Sequence, residues 1–303
     1  MLNILSLGAG VQSSTVLLMS CRGELPKLDG AIFADTGWEP EAVYEWLEVL
    51  KREMGNAGIP YYQVSKGDIR ADALRSRMRK EEYKDVEGGR WAAMPLFTMT
   101  KERKHEGTYE PLYDDEGEEI DEQFVPTGDF IEGEEQKGQV KRQCTAEYKI
   151  MPVQRQIRQL LKEANQTQAC QWFGISSDEM RRMRMSKVRY IENYYPLIFG
   201  LERPYHRHDC LKWLDDIGYP KVPRSACLGC PFHSDDEWRN IKTRPKEWAD
   251  VVEFDENIRK VGGWRGDMFL HSSCKPLSMV DLLSKEEKGQ KNWLNECEGQ
   301  CGV

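Results

Sequence analysis

The chain has 303 residues and a formal net charge of -8, from 43 Lys and Arg against 51 Asp and Glu. With 39% hydrophobic and 31% charged residues and a mean hydropathy of -0.69, it reads as a water-facing globular protein long enough to bury a full core. These numbers argue against membrane insertion, because no apolar run approaches the roughly 20 residues a spanning helix needs. They also argue against an extended basic nucleic-acid surface.

The start, MLNILSLGAG, shows no basic region ahead of an apolar one and no small-residue cleavage site, so a cytoplasmic protein is expected. Residues 2–7 read as a short apolar strand, with a helix following from Ser13 to about Met19. LDGAIFADTG (28–37) reads as a second strand. EPEAVYEWLEVLKREMGNAG (39–58) reads as a helix, because Val43, Trp46, Leu47 and Leu50 fall on one face. IPYYQVSKG (59–67) is a third strand. Strands alternating with helices predict an α/β fold with a doubly wound, mainly parallel sheet, whose ligands gather at the C-terminal edge.

Residues 80–140 break this rhythm. They are rich in Glu, Asp, Gly and Lys with little periodicity, which predicts an acidic insertion or flap. Order resumes with a helix over 148–165, Pro152 in or just before its first turn. ACQWFGIS (169–176) reads as a strand, after which Ser176 or Ser177 is a candidate cap. The basic run RRMRMSKVR (181–189) is a local positive surface or a solvated helix face. Past Tyr205 the character changes to short helices, cysteines and tryptophans. The expected division is therefore an α/β domain over 1–200 and a cysteine-containing helical region over 201–303. Residues 235–259 read as two charged amphipathic helices with Trp238, Ile241, Trp248, Val252 and Phe254 as their core face.

The stretch SLGAGVQSSTV (6–16) is a small-residue turn between a strand and a helix, a shape that presents backbone N–H groups to an anion. Gly8 and Gly10 permit close approach, and Gln12, Ser13 and Ser14 offer uncharged hydrogen bonds. FADTGWEPE (33–41) sits where the second strand ends, beside that turn. Together GAGVQSSTVLL and FADTGWEPE resemble the PP-loop family of ATP pyrophosphatases and phosphoadenosine phosphosulfate (PAPS) reductases. The phosphate loop of that family reads S-G-G-x-D-S; here Ser13 stands at the Asp position and Gln12 at the common Lys position.

Three further segments carry the resemblance. RQCTAEYKIMPV (142–153) is similar to the family's Arg-Cys-x-x-x-x-Lys-x-x-Pro stretch, which implies Arg142 and Lys149 near the phosphates. GISSDEMRRMR (174–184) is similar to its Gly-Ile-x-x-Asp-Glu-x-x-Arg segment, which implies Asp178, Glu179 and Arg182 near the substrate. CLGCPF (227–232) is similar to the cysteine pair of the iron–sulfur members. The resemblance implies that Ser6, Gly8, Gly10, Gln12, Ser13 and Ser14 hold phosphates, with Asp35, Thr36 and Gly37 on the adenosine side.

Nine cysteines are many for such a chain, and their spacing points to metal rather than disulfides. Cys227-x2-Cys230 is a chelating pair, and the tail NECEGQCGV adds Cys297-x3-Cys301. Cys21 and Cys170 read as small core residues, Cys210 is ambiguous, and Cys274 with His271 is an alternative ligand pair. Three or four thiolates select an iron–sulfur cluster or zinc. The expected set is Cys144, Cys227 and Cys230, with the tail, Cys297 or else Cys301, as fourth ligand or with one iron left open. His233, next to the pair, is a candidate to orient it, whereas His206 and His208 read as a solvated loop pair.

The resemblance and the cysteines together imply an enzyme that binds ATP with Mg2+ and transfers AMP to an acceptor oxygen with loss of pyrophosphate. Sulfur, carried by the cluster or by a Cys297 or Cys301 persulfide, then displaces AMP. The acceptor is a nucleic acid or a small molecule, and a homodimer is left open. One alternative is a thiol-dependent PAPS reductase with Cys301 as nucleophile; another is a zinc-stabilised nucleotide-binding module without turnover.

Overall fold

A computed structural model describes residues 1–75, 94–113, 119–260 and 266–282. The first three strands fall where the apolar runs predict them, as β1 (Leu2–Leu7), β2 (Gly30–Asp35) and β3 (Tyr61–Ser65). The intervening helices are α1 (Val11–Arg22) and α2 (Glu41–Ala57), and a short α3 (Ile69–Leu74) follows β3. α1 is longer than its sequence suggests and stops where Gly23 takes a left-handed φ of 79°; α2 is closed the same way by Gly58 at 62°.

β6 (Ala169–Trp172) and β7 (Ile191–Tyr194) complete a five-stranded sheet of order β3-β2-β1-β6-β7, in which every pairing is parallel. Alternate side chains show why it is covered on both faces. Leu5, Leu7, Ala31 and Phe33 pack with α1 and α2, while Ile4, Ile32 and Ala34 pack with Val153, Ile157, Leu160 and Leu161 of α4 (Met151–Glu163). This is an α/β fold consistent with a doubly wound layout, and strand order reverses between β1 and β6, where such sheets open a crevice. Pro152 lies in the first turn of α4 as expected, but a π-helical turn (Thr145–Ile150) leads into it.

Between β3 and β6 the chain leaves this sheet. The expected acidic insertion forms, over its described part, an antiparallel ribbon of β4 (Phe97–Tyr113) and β5 (Glu119–Gln139). Among the described residues, Phe97–Thr100 alone pair with a third strand, β8 (Gly266–Phe269), so little of the described ribbon is required to alternate polar and apolar residues.

Four helices fill the remainder: α5 (Pro196–Phe199), α6 (Arg207–Asp216), α7 (Asp235–Lys242) and α8 (Pro245–Ile258). Trp238, Ile241 and Phe254 are buried as predicted. Val251 and Ile258 take the inner face of α8 in place of Val252, and Trp248 is half-buried with the Lys242 ammonium over its ring at 5.5 Å. Cys297 and Cys301 lie outside the described residues. Among the described residues no helix is long and apolar enough to cross a membrane.

One close approach ties sheet to site. A Cβ on Gly174, just after β6, would lie 2.4 Å from the Ser13 nitrogen and 2.6 Å from its Cα. Gly174→Ala is therefore expected to displace the head of α1 and cost about 2 kcal/mol or more, read as a lower denaturation midpoint at unchanged slope.

Candidate functional site

The head of α1 is the first part of the site. Ala9 holds a left-handed φ of 59°, unusual for a residue with a Cβ, and this bend turns β1 directly into the helix. Gly10 is the N-cap and supplies no side-chain cap, and the first turn carries no acid, so backbone N–H groups and the positive helix end converge there.

The side chains around it are buried and mutually tied. Ser14 Oγ accepts from Trp46 Nε1 at 2.9 Å, and Ser13 Oγ donates to the Gly10 carbonyl at 3.3 Å. Gln12 is a bracket: its Oε1 accepts from Arg207 at 2.8 Å, while its Nε2 donates to Glu179 at 3.2 Å and to Ser176 Oγ at 3.4 Å. Arg182 closes the network on Glu179 at 2.6 Å. Glu179 thus touches the loop at Gln12, and Arg182 joins it through Glu179. Ser176 precedes a 3-10 turn (Ser177–Arg182) without capping it. Arg207 was not anticipated. It lies between the exposed His206 and His208 and brings a cation to the uncharged Gln12 at the head of α1.

The second part is the loop leaving β2. Asp35 accepts three hydrogen bonds, from Gly37 N (2.8 Å), Tyr44 Oη (3.0 Å) and Gln63 Nε2 (2.9 Å). Burial and the Asp35 charge push the Tyr44 phenol up, so it stays a donor. Asp35 therefore shapes the turn, and Gly37 follows it at a φ of 74°. Thr36 faces the other way: its hydroxyl donates to Glu39 Oε1 at 3.0 Å and lies 3.3 Å from Cys227 Sγ.

That contact opens onto the third part, a pocket lined by Thr36, Arg142, Cys144, Lys149, Cys227 and Cys230, with Ile69, Met94 and Phe232 as apolar walls. Cysteines from distant segments thus share one pocket, as the expected ligand set requires. The turn bearing Cys227 and Cys230 is docked on the β2 loop: Leu228 N donates to the Trp38 carbonyl at 2.7 Å. Lys149 is 8% exposed, and its ammonium stands 3.7 Å from Glu39 Oε1. The Glu39 side chain is 2% exposed, and its Oε2 has no hydrogen-bond partner. Arg142 is exposed at the rim, bonded to Thr145 and 5.7 Å from the Phe232 ring centroid.

Burial, and next the Glu39 charge, push the Cys227 thiol well up, with Lys149 opposing them. A cation would invert this, since a coordinating thiol is deprotonated outright. Among the described residues no three His, Cys, Asp or Glu side chains form a metal-ready group. The donor chemistry nevertheless suits a soft metal or cluster, with three thiols on one pocket and an orphaned carboxylate oxygen beside them.

The other cysteines lie elsewhere. Cys170 and Cys210 belong to the α1–α2 core, and Cys21 packs against it, its thiol raised to about 11 by burial and Glu53. Cys274 is buried, while His271 is held by Asp235 at 2.9 Å and Ser273 at 2.8 Å. Compared with protein-family models, curated proteins and solved structures, the chain finds no match in any of the three.

A Cβ on Gly229 would lie 2.0 Å from the Trp38 ring. Gly229→Ala is expected to lift the cysteine turn from the β2 loop, costing about 1–3 kcal/mol. It should also speed alkylation of Cys227 relative to Cys21, measured by mass spectrometry after a timed iodoacetamide pulse.

Proposed function

We propose that the chain is an adenylating enzyme of PP-loop type, resembling the PAPS reductase family. It binds ATP, or a related adenine nucleotide, at the head of α1 and activates an acceptor for sulfur transfer. The observation that carries this reading is the 3.3 Å contact between Thr36, on the nucleotide-side loop, and the thiol of Cys227. Adenylation followed by displacement needs nucleotide binding and sulfur chemistry within reach of one acceptor atom, and Thr36 touches the thiol from the loop that the resemblance assigns to the adenosine side.

In this reading the backbone N–H groups of residues 10–13 and the dipole of α1 hold phosphate oxygens. Arg207 and Lys149 supply the positive charge that Mg2+ completes, and negative charge building on the leaving pyrophosphate is stabilised there. The acceptor oxygen attacks the α-phosphorus, the bond to pyrophosphate breaks, and an acceptor–AMP ester results. A sulfur nucleophile then forms the carbon–sulfur or phosphorus–sulfur bond as AMP leaves with the oxygen. Cys144, Cys227 and Cys230 would hold an iron–sulfur cluster, or zinc in the binding-module alternative, with Cys297 as proposed fourth ligand and Cys301 as proposed persulfide carrier.

The test is equilibrium binding of ATP with Mg2+ to protein purified without oxygen, with iron, zinc and sulfide measured on the same sample. ATP is expected to bind at least about tenfold, or 1.4 kcal/mol, tighter than adenosine. Iron and sulfide are expected near stoichiometry. ATP binding no better than adenosine overturns the phosphate loop; zinc without sulfide overturns the cluster and favours a binding module. PAPS bound in preference to ATP, with sulfite released, favours thiol-dependent reduction.

A further inference from the structure

The cysteine turn is held by a residue outside the ligand set. His233 is buried, its side chain 5% exposed, and its Nε2 lies 3.0 Å from the carbonyl oxygen of Cys227 and 3.1 Å from that of Leu228. Both neighbours are acceptors, so Nε2 carries the hydrogen and donates to them. The Cys227 carbonyl also receives the Cys230 N–H at 3.0 Å, and the His233 N–H reaches the Cys230 carbonyl at 3.1 Å. The imidazole therefore satisfies two buried carbonyls that the reversal of the chain turns inward, and the backbone of the same residue closes the turn from the far side.

The ring is itself fixed. Its plane meets Trp238 edge-on at 4.8 Å between centroids, and its Nδ1, bare in the tautomer that donates from Nε2, stands 3.3 Å from Glu237 Oε2 with no hydrogen to give it. Glu237 is anchored independently: it pairs with Arg224 and accepts from Ser234 N at 3.0 Å in the capping box that starts α7. Trp238 and the Glu237–Arg224 pair thus wall the ring in, and the tie from it to the cysteine turn is the Nε2 hydrogen shared by the Cys227 and Leu228 carbonyls.

We infer that His233 is a positioning residue that presets the Cys227–Cys230 turn for chelation without itself binding the metal. The inference rests on the reading of those cysteines as metal or cluster ligands. A pair of thiols presented at a fixed separation binds without first ordering the turn, whereas a turn missing the His233 donor loses the ring's bond to the Leu228 carbonyl and leaves the Cys227 carbonyl with the Cys230 N–H, so it is free to relax away from that shape.

The experiment is an anaerobic titration of the full chain with Co2+, reading the thiolate-to-cobalt charge-transfer band, for the parent, His233→Leu and His233→Gln. Gln is the conservative variant because its amide nitrogen falls near the position of Nε2. The parent should develop the band. His233→Leu should bind Co2+ about tenfold or more weakly, while His233→Gln stays close to the parent and both keep the parent's affinity for ATP. Parent-like Co2+ binding by His233→Leu overturns the inference. Equal loss in both variants, with ATP binding also impaired, overturns it too, since that marks a packing role. A parent chain that develops no thiolate band removes the ligand reading itself, and the inference falls with it.

Discussion

A backbone hydrogen bond, from Leu228 N to the Trp38 carbonyl at 2.7 Å, fastens the cysteine turn to the loop that leaves β2. The two segments are 190 residues apart, and what they share is the edge of the parallel sheet. Because β2 ends at Asp35, its loop lies where a doubly wound sheet gathers ligands. Because Gly229 has no side chain, the turn can lie flat against the Trp38 ring. Trp38 in turn packs on Phe254 of α8 at 4.6 Å between centroids, in the core that also holds Tyr148, Leu228 and Trp238. Moving that docking point would separate Thr36 from Cys227 and Lys149 from Glu39 at once.

The charges follow from the same geometry. Glu39 and Lys149 are both buried beside the half-buried Cys227, an arrangement that is costly unless the charges compensate one another or a further ligand. At the head of α1 the balance is different. Gln12 carries no charge, yet it draws Arg207 and Glu179 to the same place, so cation and anion both arrive through an amide bracket. In the Asp35–Thr36–Gly37 turn, Asp35 fixes the shape and Thr36 reaches the sulfur of Cys227.

Legibility in the sequence varied with the range of the interaction. The strands β1 and β2 and the helix α2 could be read because their burial is encoded locally, in apolar runs and in the spacing of Val43, Trp46, Leu47 and Leu50. The antiparallel ribbon was missed because pairing between its two strands demands little alternation. Val251 was passed over for Val252 because α8 starts at Pro245, and the phase of a short helix depends on where it begins. The chelating pair announced itself by spacing. Its meeting with Cys144 rested on the family resemblance, and the roles of Glu39 and Arg207 were invisible, since each is defined by partners more than 100 residues away.

The central claim is that nucleotide binding and thiol chemistry share one loop. The most direct measurement is the rate at which Cys144, Cys227 and Cys230 are alkylated, residue by residue, with and without saturating ATP and Mg2+ in the absence of oxygen. The account predicts that nucleotide changes the rates at these three cysteines and leaves Cys21 as it was. Nucleotide that binds while all four rates stay the same would contradict it.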